Sequence, residues 1–92
     1  MEILKSQRAA IDALDDQIVD LLVERFGIVH EVARIKARDG IAVVQSTRAE
    51  DVKARVAIRA QNAGLDGKLL RDIYTLIIDH AHVVEHDPKN QK

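Results

Sequence analysis

Three cations sit on or beside a stripe that ought to be apolar. From Leu4 to Ile35 an apolar residue recurs every three or four positions, as Leu4, Ile11, Leu14, Ile18, Leu21, Ile28, Val32 and Ile35, but positions 8 and 25 of that stripe are Arg8 and Arg25. Lys36 follows one turn after Val32, at the stripe's edge. A cation turned toward a helix-packing seam loses hydration unless an anion meets it there, and no carboxylate occupies the stripe. The counter-charge must come from another helix or from a ligand. Arg25 and Lys36 are eleven residues apart, about 16 Å of rise on one helix, so their long side chains can converge on a small molecule between them. Arg8 lies seventeen residues before Arg25, about 25 Å along the axis, too far to reach the same ligand. It would face the Arg25–Lys36 interval if it came from a second, antiparallel chain with the dyad near residues 18–20. Arg48, in the first turn of a later helix, adds a fourth cation beside a positive helix terminus. A ligand suited to this set is small, partly apolar and carries at least two carboxylates.

The elements that must position these residues are helical. The 3.6-residue spacing and the lack of proline predict a first helix from about Ile3 to about Arg38. Gly27 lies inside it at a cost of about 1 kcal/mol against alanine, but the stripe keeps its phase through Gly27, so the helix is expected to continue. Asp39-Gly40 is a stop signal suited to a left-handed cap. Ile41–Ser46 reads as a loop, because its short apolar run has no partner strand. Thr47-Arg48-Ala49-Glu50 has capping-box spacing and is expected to start helix two. Its inner face is Val52, Val56 and Ala60, and Asn62-Ala63-Gly64 ends it. Asp66 is placed to cap helix three, with an apolar side of Leu69, Leu70, Ile73, Leu76, Ile77, Ala81 and Val84, closed by Asp87-Pro88.

The expected architecture is therefore all-α, with one long and two shorter helices in a domain over residues 1–87 and a flexible tail at 88–92. A 36-residue helix is about 54 Å long, far beyond what two shorter helices can cover. Its open seam calls for a second chain, so an intertwined antiparallel homodimer with shared active sites is expected.

Composition narrows the function classes. A net charge of -1 favours neither nucleic acid nor an anionic membrane, and one Phe with one Tyr gives no base-stacking platform. Without cysteine there are no disulfides, thiol nucleophiles or thiolate metal sites. No signal-peptide or membrane-spanning run appears, which reads as a soluble cytoplasmic protein. His82 and His86 have an i, i+4 spacing able to bind zinc, with Glu85 between them and His80 nearby. Their position at a proline-terminated helix end reads as an exposed polar surface, and no metal is expected.

The run Arg8-x-x-Ile11-Asp12-x-Leu14-Asp15-x-x-Ile18-x-x-Leu21-Leu22-x-x-Arg25, followed by Lys36 and Arg48, resembles the AroQ-type all-α chorismate mutases over about residues 4–85. That resemblance implies an intertwined three-helix dimer that rearranges chorismate to prephenate, on the route to phenylalanine and tyrosine, without a cofactor. It implies that Arg25 and the partner subunit's Arg8 grip the two carboxylates. Lys36 would meet the enolpyruvyl carboxylate and the ether oxygen, and Arg48 would add to the positive wall. Glu85 stands where the family has a Gln or Glu that hydrogen-bonds the ether oxygen, a contact a carboxyl group can donate only while protonated. Gln45, in a loop over the ring, together with Val52 and Ala81, would complete the substrate site. Two positions depart from the family pattern. Ala49 replaces a Glu that meets the ring hydroxyl in many members, with Glu50 turned about 100° away, and Ala81 lacks a small hydroxyl. These departures keep two relatives in view, an isochorismate-pyruvate lyase of salicylate biosynthesis and a 4-amino-4-deoxychorismate mutase. A non-catalytic helical dimerisation or regulatory module is the reading from a different class.

Overall fold

The computed structural model describes residues 3–90, and every regular element among them is helical. Helix α1 spans Lys5–Asp39, α2 Ser46–Asn62 and α3 Gly67–His86, followed by a 3-10 turn at Pro88–Asn90. The all-α class and the three-helix order expected from the periodicities are what the chain adopts. Gln91 and Lys92, the end of the expected tail, lie outside the described residues.

Helix α1 runs unbroken through Gly27 and stops where glycine permits it. Gly40 takes the left-handed conformation, with φ 68° and ψ 29°. In that conformation its own N–H and that of Ile41 both donate to the Lys36 carbonyl, satisfying an end-of-helix acceptor. Asp66 caps α3 as expected, its carboxylate accepting from the Lys68 N–H at 3.0 Å. The start of α2 differs from expectation. The helix begins at Ser46 with Gln45 as an extended N-cap and no side-chain cap, and the Glu50 of the presumed box instead pairs with Arg71 on α3. A long-range ion pair stands in place of the local cap.

Helix α3 is the middle element, packing on both α1 and α2, while α1 and α2 do not pack directly on each other. Gly67 meets the Ala57 carbonyl and Gln61, whereas Arg71 meets Glu50, so α2 and α3 run antiparallel. Arg25 lies over Tyr74 and Lys36 meets Glu85, so α1 and α3 run in the same direction. The buried core is small and consists of Ala33, Val52, Val56, Ala60, Ile78 and Ala81. The inner face of α2 is as expected. On α3, Leu76 is 72% exposed and Ile78 takes the packed position instead. Apolar residues surround most of that helix, so period alone did not identify the buried side.

The stripe of α1 is not consumed within the chain. Ile11, Leu14, Ile18, Leu21 and Ile28 are all more than half exposed. The α3-facing row is an adjacent one, containing Leu22, Phe26, Val29 and Ala33, with the Phe26 ring edge-on to His80 at 5.5 Å. The result is a rod-like molecule of 58 × 27 × 14 Å with a radius of gyration of 16.7 Å. A compact chain of this length would have a radius near 12 Å.

Candidate active site

The end of α1, the loop after it, the start of α2 and the C-terminal half of α3 enclose one cleft. Helix α1 contributes Arg25, Val29 and Lys36, and the loop contributes Val43 and Gln45. Helix α2 contributes Arg48, Ala49 and Val52, while α3 contributes Ile78, Ala81, His82 and Glu85. Of the nine site residues expected from sequence, eight therefore line the same cleft. Arg8 does not. It lies in the second turn of α1, an exposed position about 25 Å of helical rise from Arg25.

The cations differ in how they are held. Lys36 Nζ lies 2.7 Å from Glu85 Oε1 and donates to the Val43 carbonyl at 2.8 Å. These contacts tie α1 to α3 and to the loop through one ammonium group. Glu85 is only 5% exposed, and a buried carboxylate needs such a partner to remain charged at bearable cost. Arg25 meets no carboxylate among the described residues; its guanidinium lies 5.6 Å from the centre of the Tyr74 ring, a cation–π contact. Arg48 likewise has no anionic partner among the described residues. The cleft thus presents two arginines that no carboxylate among the described residues meets, plus a lysine shared between a carboxylate and a carbonyl. An excess of fixed positive charge on a partly apolar wall is a site for a small organic anion.

Glu50 is turned away from the cleft. Its hydrogen bond to Arg71 holds its carboxyl below the ordinary value of 4.5. No carboxylate therefore substitutes for the missing one at Ala49. Four lining residues were absent from the sequence-based set, namely Val29, Val43, Ile78 and His82. The first three are wall residues whose apolar type carries no chemical signal. The sequence places His82 at an exposed helix end, yet it is half-buried and faces the cleft. Its i−3 relation to Glu85, one turn along the same face, is the signal that could have placed it there.

Comparison with known proteins agrees with this geometry. The profile of a family described as chorismate mutase type II matches residues 7–86. A 4-amino-4-deoxychorismate mutase from Streptomyces venezuelae is 37% identical over 82 residues, covering 89% of this chain and 80% of its own length. A chorismate mutase from Methanocaldococcus jannaschii is 26% identical across the whole of this chain and 99% of its own length. A T-protein from Haemophilus influenzae is 26% identical over 94% of this chain, which spans only 23% of that protein. No solved structure matches the chain significantly.

Proposed function

This chain belongs to the chorismate mutase type II family, and from that premise we propose that it rearranges chorismate to prephenate in a homodimer whose two sites each draw on both chains. The observation that carries the reading is the cleft where Arg25, Lys36, Arg48 and Glu85 meet an apolar wall. The [3,3] rearrangement breaks a C–O bond and forms a C–C bond within one molecule, so it needs no nucleophile and no external proton. It requires the substrate to be held in its folded, reactive conformation. It also requires donors at the ether oxygen, which gains negative charge as the C–O bond breaks. Arg25 and the partner subunit's Arg8 would hold the carboxylates, with Arg48 reinforcing the positive wall. Lys36 would turn its ammonium from the Val43 carbonyl toward the enolpyruvyl side, and Glu85 would donate to the ether oxygen when protonated.

The dimer is supported by the unburied seam of α1. Beside it, Ile18, Leu21, Leu22, Leu69, Ile73 and Ile77 line an almost wholly apolar groove, the kind of surface a second helix covers. An antiparallel partner with its dyad near residues 18–20 would fill that seam and carry Arg8 toward the cleft.

The test is direct. Purified protein mixed with chorismate should abolish the chorismate absorbance and give phenylpyruvate after acid treatment. Pyruvate release from isochorismate would instead mark a lyase, and turnover of neither substrate would leave a non-catalytic module. A second reading, 4-amino-4-deoxychorismate as substrate, is favoured by the Streptomyces venezuelae relative; the same assay with the amino compound measures it.

A further inference from the structure

The proposed mutase roles take up every charged group of the cleft but leave two polar side chains, Gln45 and His82, unused. Chorismate carries two carboxylates, an ether oxygen and a ring hydroxyl. The arginines, Lys36 and Glu85 account for the first three. A side-chain partner for the ring hydroxyl has to come from the remaining lining residues, most of which are apolar. Ala49 and Val52 offer no hydrogen bond from the α2 side, and Ala81 offers none from α3. Two polar candidates remain. Gln45 is exposed at the rim, and its amide nitrogen points to the Ala42 carbonyl at 3.5 Å. His82 is half-buried and has no hydrogen-bond or ion-pair partner among the described residues.

We infer that His82 is the specificity-determining residue of this site, meeting the ring substituent of the substrate and favouring an uncharged hydroxyl over an ammonium. The inference rests on the proposed mutase reading. An uncharged imidazole can donate one hydrogen bond and accept another, so it can pair with a hydroxyl in either sense. The charge balance supplies the preference. Arg25, Lys36 and Arg48 face a single lining carboxylate, Glu85, which already lies 2.7 Å from Lys36. Two substrate carboxylates complement that excess. An ammonium on the ring would add another positive charge with no uncommitted carboxylate to receive it, and repulsion of that kind is how a site rejects a near-isosteric analogue.

The experiment compares wild type with His82→Leu, His82→Gln and His82→Glu on two substrates, chorismate and its 4-amino-4-deoxy analogue, each read as kcat/KM. The ratio of the two values does not depend on how much of a variant is folded. Wild type is expected to prefer chorismate. His82→Leu should lower kcat/KM on chorismate about 10–100-fold, by removing a hydrogen bond to a substrate hydroxyl, and His82→Gln should recover most of that loss. His82→Glu supplies the missing carboxylate and should move the ratio toward the amino compound by about tenfold or more. Wild-type preference for the amino compound, or ratios within about twofold of wild type in all three variants, overturns the assignment while leaving the mutase reading intact. A wild-type protein inert on both substrates overturns the mutase reading itself, and this inference with it.

Discussion

Lys36 and Glu85 are the residues on which the proposed chemistry turns. Lys36 is shared between the Glu85 carboxylate and the Val43 carbonyl, so its ammonium is held beside Glu85 before any substrate arrives and has only the Val43 carbonyl to leave. Glu85 can donate to an ether oxygen only in its protonated form. Glu85→Gln, whose amide donates a hydrogen bond without needing a bound proton, should therefore hold its activity better than wild type as pH rises. Measured kcat/KM profiles that superimpose for the two proteins would refute this role. At this scale much of the site was legible. Cations that interrupt an apolar stripe are visible in sequence because burial makes their charge costly. His82 was harder to see, because its burial depends on how the start of α2 crosses α3 and the one local signal, its i−3 relation to Glu85, competes with its place near a proline-terminated helix end.

At the scale of elements, the two glycines within helices have opposite roles. Gly27 lies in the middle of α1, where an added Cβ would meet nothing within 4 Å. Gly27→Ala should stabilise the protein by about 0.5–1 kcal/mol through helix propensity and a less disordered unfolded chain. Gly67 is buried at the first position of α3, where an added Cβ would lie 2.9 Å from the Ala57 carbonyl. Gly67→Ala should destabilise by about 1–3 kcal/mol, because the backbone itself would have to move. Opposite shifts in the thermal midpoint would establish both, and a rise for Gly67→Ala would count against such close packing of α2 and α3.

The Glu50–Arg71 pair links the same two helices at the surface. Because Arg71 holds the folded-state value of Glu50 below its ordinary 4.5, its contribution is fully present above that value and is lost as pH falls through the depressed one. Glu50→Gln should remove that part of the acid-side loss, seen as a shallower fall of the thermal midpoint below about pH 4.5. This pair also explains why the start of α2 was misread. Thr47 and Glu50 have capping spacing, but a partner twenty-one residues away outcompetes a local cap. The Gly40 and Asp66 caps were legible because their partners lie within a few residues. The packed face of α3 was only partly legible, since Leu69, Leu70, Ile73, Leu76, Ile77 and Ile78 spread apolar surface around most of the helix.

At the scale of the whole molecule, the single chain is too extended to bury its own apolar seam. If the dimer supplies what is missing, the thermal midpoint should rise with protein concentration, as it does whenever folding and association are linked. A midpoint independent of concentration, together with a monomeric mass in sedimentation, would exclude the dimer. Catalysis offers a sharper test. Arg8→Ala and Arg25→Ala should each be nearly inactive alone. After subunit exchange, a mixed dimer would hold one site with both arginines intact and one with neither. Activity should return to a fraction of wild type, and no recovery despite demonstrated exchange would rule out shared sites. The uncovered seam was legible in sequence from helix length alone. Which row of α1 faces α3 was not, because the stripe and the adjacent row Leu22, Phe26, Val29 and Ala33 are both apolar.

The uncovered seam on a rod 58 Å long has a consequence beyond this chain. The surface proposed to recruit a second copy runs along α1, a helix whose two ends point away from each other. If the proposed pairing forms, any longer polypeptide built around this segment would inherit it, so whatever was fused to the segment would be delivered in twos.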